Sequence, residues 1–382
     1  MKYVFKKKTS RFLASFLDAA GYPVFWLFGR RGHSLTSENP ASVLVVRLDH
    51  LGDVLLSTAV PKAIKQNFPN CRVIFLTASW AAPLLQGNPF VDEILQFDAS
   101  WFSNRRYQRS VKAYGLWGLL WALRERKIDL ALGLRGDLRE NLLVFAAGIR
   151  ERVGYGITGG GFFLTKEVAY RHDAHESEHQ KDLLGALGLK VDSLEPSIYL
   201  SNHEEMHFEK RLEPFGLEGD KNFICLLLSS GAPSKDWAAS RLDEFIKLFV
   251  SHFPAYRIVL VGSSRRISDQ LNTRGDERVL NLVGETTLRE LCLLIKKSKF
   301  FIGPESGPTH VASVLGVPTL FLYSGTNRYE RWKPLQEAAM VLRHPVPCSP
   351  CESEICHVEG HPCMAEIRPE EVLNILDSKL SG

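Results

Sequence analysis

Short apolar runs recur along the chain. Each ends in a Gly-, Ser- or Asp-containing break and is followed by apolar residues at helical spacing. The first run covers 43–48, and Asp49-His50-Leu51-Gly52-Asp53 breaks it. Leu56, Val60, Ile64 and Phe68 then fall on one helix face, with Pro61 inside the stripe, where it should bend or break the helix. Further runs predict strands over 72–77, 91–97, 128–134 and 152–155, with Gly159-Gly160-Gly161 as a flexible loop and a helix over 175–187. A connection over about 190–205 follows. Buried runs alternating with helical stripes describe parallel sheet covered by helices.

The series then restarts. Strands are expected over 223–228, 257–261, 279–283, 300–302, 319–323 and 338–342. Helices are expected near 242–249, over 288–295 behind a Thr287 cap, and over 369–380. The most informative stretch is Gly303-Pro304-Glu305-Ser306-Gly307-Pro308-Thr309-His310. Gly303 and Pro304 should end a strand, Ser306 or Gly307 should cap a helix, and Pro308 suits its first turn. Free N–H groups at that helix start form an anion site, which Glu305, Ser306, Thr309 and His310 would surround. Strand–turn–helix units of this kind recur in folds with unrelated functions, so the unit alone assigns none.

Composition narrows the class. A chain of 382 residues is long enough for two cores, and 45% hydrophobic with 24% charged residues is ordinary globular usage. A net charge of +4 gives no global argument for nucleic acid. No apolar run reaches the roughly 18–20 residues that span a bilayer, and Asp18 and Pro23 interrupt the N-terminal segment, so neither a membrane span nor a signal peptide is expected. That segment sets Lys2, Lys6, Lys7, Lys8, Arg11, Arg30 and Arg31 around Phe12, Leu13, Phe16, Leu17 and the run Val24-Phe25-Trp26-Leu27-Phe28. A basic aromatic helix of this kind can lie on an anionic membrane surface; a helix packed on the domain and a disordered leader are the alternatives. Between 99 and 127, Arg105, Arg106, Arg109 and Lys112 mix with Trp101, Tyr107, Tyr114, Trp117 and Trp121, mostly as helix. Cys71, Cys225 and Cys292 read as small core hydrophobes, and the expected compartment is the cytoplasm.

Four motifs in order resemble glycosyltransferase family 9, the ADP-heptose:lipopolysaccharide heptosyltransferases. They are Arg47-Leu-Asp-His-Leu-Gly-Asp-Val54, Lys235-x-Trp237, Gly303 to His310, and Cys348-Ser-Pro-Cys351. The resemblance covers about Ser42 to the end. It implies an α/β chain of the GT-B fold, with two facing Rossmann-like doubly wound domains and a cleft between them. The expected organisation is an amphipathic extension over 1–40, an acceptor domain over 41–204, a nucleotide-sugar donor domain over 205–345, and a Cys-rich tail with a last helix over 346–382.

The resemblance also implies an inverting, metal-independent transfer of heptose from ADP-heptose to the lipopolysaccharide inner core, at the cytoplasmic membrane face. Asp53 is the candidate base, with capping of a helix starting at Val54 as its structural alternative. Lys235 would meet the leaving phosphate. Gly262, Glu285, Glu305, Ser306, Gly307, Pro308, Thr309 and His310 would serve the donor, and Gly52, Arg135 and Asp137 the acceptor. Glu305 stands where the family usually has aspartate, which puts the donor in question. No cofactor is required for this chemistry. Cys348, Cys351, Cys356 and Cys363 read either as a structural zinc site or as reduced cysteines pinning a loop. The rival readings are a family 9 enzyme with another donor or acceptor, a nucleotide-sugar epimerase of similar architecture, and a non-catalytic sugar-nucleotide binder.

Overall fold

Each of the predicted apolar runs becomes a strand. The computed structural model describes residues 3, 8–27, 39–100, 113–191, 193–217, 219, 222–272 and 275–380. Among them the strands are β1 (Ser42–Arg47), β2 (Arg72–Thr77), β3 (Glu93–Gln96), β4 (Leu130–Gly133), β5 (Glu151–Gly154), β6 (Lys166–Glu167), β7 (Phe223–Leu227), β8 (Arg257–Val261), β9 (Val279–Asn281), β10 (Phe300–Pro304), β11 (Thr319–Leu322) and β12 (Ala339–Leu342). The chain divides into two compact units between Tyr199 and Leu200.

The sheet of the first unit has the order β3-β2-β1-β4-β5-β6, and that of the second β12-β11-β10-β7-β8-β9. All pairings are parallel; Val45 of β1, for example, lies opposite Phe75 of β2 and Leu132 of β4. In each sheet successive strands move outward in one direction and then in the other. The reversal falls between β1 and β4 in the first unit and between β7 and β10 in the second. Crevices at the carboxyl ends of such strands are where open α/β sheets bind ligands. Every residue of β1, β7 and β10 is buried, as continuous apolar runs in central parallel strands should be.

Local chemistry explains most boundaries. The stripe carrying Pro61 is two helices, Leu51–Ser57 and Val60–Asn67, with the proline in the first turn of the second, where its missing N–H breaks no helical bond. Helix Leu288–Lys297 begins at a capping box between Thr287 and Glu290. Gly303 and Pro304 do not end the strand but close it, and β10 runs through both. A side chain at Gly303 would press on Leu227 of β7 and the Thr309 hydroxyl at under 3 Å. The connection expected over about 190–205 instead runs into helix Asn202–Leu212; a capping box between Ser201 and Glu204 starts it, and only Phe208 and Leu212 bury an apolar face.

The N-terminal helix Lys8–Leu27 packs on the first unit. Its Phe25 ring meets Phe145, Phe162 and Phe163 at 5.2, 5.2 and 5.4 Å between centroids. Asp18 is buried and accepts from the Gly160 N–H at 2.7 Å. The Gly159–Gly161 stretch is therefore a docking turn for this helix, not the flexible loop expected. Lys2, Lys6, Lys7, Phe28, Arg30, Arg31, Trp101, Arg105, Arg106, Tyr107, Arg109 and Lys112 lie outside the described residues. In the second unit, Cys363, Met364, Ile367, Val372 and Leu376 share the apolar core with Phe245, Phe249 and Ile258, so the C-terminal segment belongs to that core.

Candidate functional site

At the carboxyl end of β1 a buried arginine gathers three carboxylates. Arg47 donates from Nε to Asp49 at 2.7 Å, and from Nη2 to Asp53 at 2.7 Å and Glu176 at 3.0 Å. Its Nη1 reaches the Leu134 carbonyl just beyond β4, at 3.1 Å. Arg135, half-buried, closes on the other oxygen of Asp49 at 2.7 Å. All three carboxylates are buried, where a charge survives only with a counterion.

The balance differs from group to group. Burial pushes Asp49 upward, yet Arg47 and Arg135 outweigh it and hold the carboxyl below its ordinary range. Burial and then the Asp49 charge push Asp53 up to about 6, against the pull of Arg47. Such a group is ionised at neutral pH and is still basic enough to take a proton. Asp53 sits in the first turn of helix Leu51–Ser57, whose N-cap is His50, so the alternative of an Asp53 cap is not what the structure shows. Gly52 precedes it in the same turn.

Arg135 is thus tied to Asp49. Asp137 caps helix Leu138–Ala146, accepting the Arg139 N–H at 2.9 Å, and also pairs with the Arg139 guanidinium. That engagement gives Asp137 a structural task. Nearby, Glu140 is buried, and among the described residues neither carboxyl oxygen is hydrogen-bonded. Burial, then Asp49, pushes it from 4.5 up to about 8. The folded protein keeps a proton that the unfolded chain releases, so stability falls as pH rises through this window. Glu140→Gln should therefore be more stable than the parent at pH 8, by on the order of 3 kcal/mol. Near pH 5 the two should match in urea unfolding, and a variant no more stable at pH 8 would refute this account.

The second unit builds a smaller constellation. Lys235, ending the short turn Pro233–Lys235 after β7, donates to Glu305 Oε2 at 2.6 Å. Asn327 Nδ2 meets the same oxygen at 2.7 Å, and His310 Nε2 lies 3.6 Å from the other. Burial raises Glu305, but Lys235 outweighs it and the carboxyl is held below its ordinary value. Ser306 is the N-cap of helix Gly307–Val314, with Pro308 in its first turn, and Ser306, Gly307 and Pro308 are half-buried. The Thr309 hydroxyl donates to the Pro304 carbonyl at 2.6 Å, and buried His310 packs its ring on Phe321 at 4.9 Å. Beyond β8 and β9, the Gly284 N–H binds the Gly262 carbonyl at 2.8 Å, and exposed Glu285 pairs with Arg265.

The four tail cysteines do not converge. Among the described residues no group of three or more His, Cys, Asp or Glu side chains could hold a metal ion. Cys363 is buried in the apolar core and Cys348 is exposed. Sequence reading did not assign roles to Arg47, Glu176, Glu140 or Asn327. Arg47 ends an apolar run, which is a signal of burial, whereas Glu176 lies 129 residues from Arg47 with no local mark.

A family model described as glycosyltransferase family 9 (heptosyltransferase) matches residues 116–361. Lipopolysaccharide heptosyltransferase 2 of Salmonella typhimurium is 26% identical over 362 residues, covering 89% of this chain and 98% of the relative. The family 9 glycosyl transferase of Veillonella parvula superposes with a TM-score of 0.76 at 21% identity, over 89% of this chain and 97% of that one. ADP-heptose lps heptosyltransferase II of Escherichia coli gives 0.70 at 24% identity, over 89% and 98%.

Proposed function

The chain belongs to glycosyltransferase family 9, and we propose that it transfers heptose from ADP-heptose to a lipopolysaccharide inner-core acceptor. It is a glycosyltransferase of the GT-B fold. The observation that carries the finer reading is Asp53, buried at a strand reversal, held by Arg47 and poised near pH 6. The acceptor hydroxyl attacks the anomeric carbon while Asp53 takes its proton, and ADP departs from the opposite face with its electron pair. The transition state carries oxocarbenium character. Lys235 and the backbone N–H groups at the start of helix Gly307–Val314 supply positive charge for the leaving diphosphate. Gly262 and Glu285 serve the adenosine, and Arg135 an anionic group of the acceptor.

Titration calorimetry with ADP, UDP and GDP, followed by transfer from ADP-heptose, tests this reading. ADP should bind at least about tenfold more tightly than the other two, a preference of about 1.4 kcal/mol. Preference for UDP or GDP would overturn the heptose donor. Glu305, standing where the family usually has aspartate, motivates the one rival kept here, another nucleotide-sugar donor.

We also propose docking on the anionic inner face of the cytoplasmic membrane. No helix among the described residues is long and apolar enough to cross a membrane. Helix Lys8–Leu27 instead leaves Phe12, Leu13, Phe16 and Val24 exposed, in a segment rich in lysine. The chain should float with phosphatidylglycerol vesicles and not with neutral ones. Phe12→Ser with Phe16→Ser should reduce the bound fraction about tenfold, and unchanged flotation would remove the helix as the anchor.

A further inference from the structure

We propose that the Cys-containing C-terminal segment is a positioning element for Lys235, with His361 and Thr326 as its working contacts. The turn Pro233–Lys235 has little internal support: the Lys235 N–H reaches Ala232 at 2.9 Å and the Asp236 N–H reaches Pro233 at 3.2 Å. Its orientation is borrowed. Ser234, 1% exposed, is enclosed on every polar atom. Its N–H donates to the Glu354 carbonyl at 3.0 Å, and its hydroxyl donates to the Ser353 carbonyl. Its own carbonyl faces His361 Nε2 at 2.9 Å and the Thr326 hydroxyl at 3.3 Å.

The same segment grips a second loop. The Cys351 N–H donates to Gly325 at 3.0 Å and the Glu352 N–H to Thr326 at 2.8 Å, fixing the residues before Asn327. Lys235 and Asn327 share Glu305 Oε2, so one strap sets both. The strap is anchored where Cys363, Met364 and Ile367 enter the core and the Trp237 indole N–H donates to the Ile367 carbonyl at 3.1 Å. His361 holds a left-handed backbone, φ 48, which a non-glycine residue rarely adopts unless its surroundings demand it. A flexible lysine gains catalytic use only when its stem is placed, because a displacement of about 1 Å can cost up to about 10²-fold in rate.

The inference rests on reading Lys235 as the partner of the departing diphosphate. The test is a double-mutant cycle on the full chain, read as kcat, KM and ADP affinity. His361→Ala should lower kcat about tenfold with acceptor KM little changed, and His361→Asn, which keeps a donor, should recover part of it. In a Lys235→Ala background the same change should shift kcat by less than about twofold. Thr326→Val, close in shape, repeats the cycle should His361→Ala not fold. Equal losses in both backgrounds, or none in the parent, overturn the proposal. A parent chain that neither binds ADP nor transfers heptose would instead overturn the functional reading beneath it.

Discussion

Replacing Asp53 with asparagine is expected to lower kcat by about 10²–10⁴-fold while leaving ADP affinity unchanged. Asparagine keeps the volume and one acceptor oxygen toward Arg47 but cannot take a proton. The proposed donor groups belong to the second unit, so nucleotide binding serves as the internal control. The pH dependence has a definite sign. As the proposed base, Asp53 must be ionised, so the rate of the parent should plateau at neutral pH and fall tenfold per unit below about 6. Stability runs the other way. A folded value raised from 3.8 means that ionising Asp53 costs the native state as pH rises through about 6. The asparagine variant escapes that cost but loses a charged partner of Arg47, so its Tm should stay within a few degrees of the parent. A variant retaining more than about a tenth of parental kcat would exclude Asp53 as the base.

Arg47→Met should be the most destabilising single change. It leaves Asp49, Asp53 and Glu176 buried without the guanidinium that each touches within 3.0 Å. Removing one partner of a buried pair costs about 3–5 kcal/mol, and three carboxylates share this one. For a unit of this size the loss corresponds to a Tm lower by roughly 10 °C. The deficit should shrink in acid, since protonating the orphaned carboxylates relieves them. Asp53 should also titrate above its parental value, because the charge opposing its rise is gone, and the rising limb of the rate profile should move up with it. Arg47→Lys should fall between, as an ammonium cannot present a planar fork to several carboxylates at once. Equal melting of parent and methionine variant at pH 8 would show that the network contributes nothing.

Legibility followed the range of the interaction that decides each feature. Residues 72–77 were legible as β2 because a buried parallel strand is nearly continuous in apolar residues. Strand β6 was missed because two exposed residues carry no pattern. Helix Asn202–Leu212 was missed although Ser201 and Glu204 mark its start, since its apolar face is thin. Asp53 and Lys235 stood out through motifs, but what surrounds them did not. Thr309 and Asp137 look alike in the sequence as polar residues after an apolar run, yet one bonds the Pro304 carbonyl and the other caps a helix.

The sequence by itself determined the alternation of strand and helix, the restart that makes two sheets, and membership of the family. Those depend on spacing between neighbours, which a linear chain displays. Only the tertiary structure decided which charges meet. Glu176 reaches Arg47, and Ser353, Glu354 and His361 reach Ser234, because elements distant in the chain are brought to one place by strand order and register. A buried charge must find its counterion wherever the packed chain puts one, and no local spacing encodes that meeting.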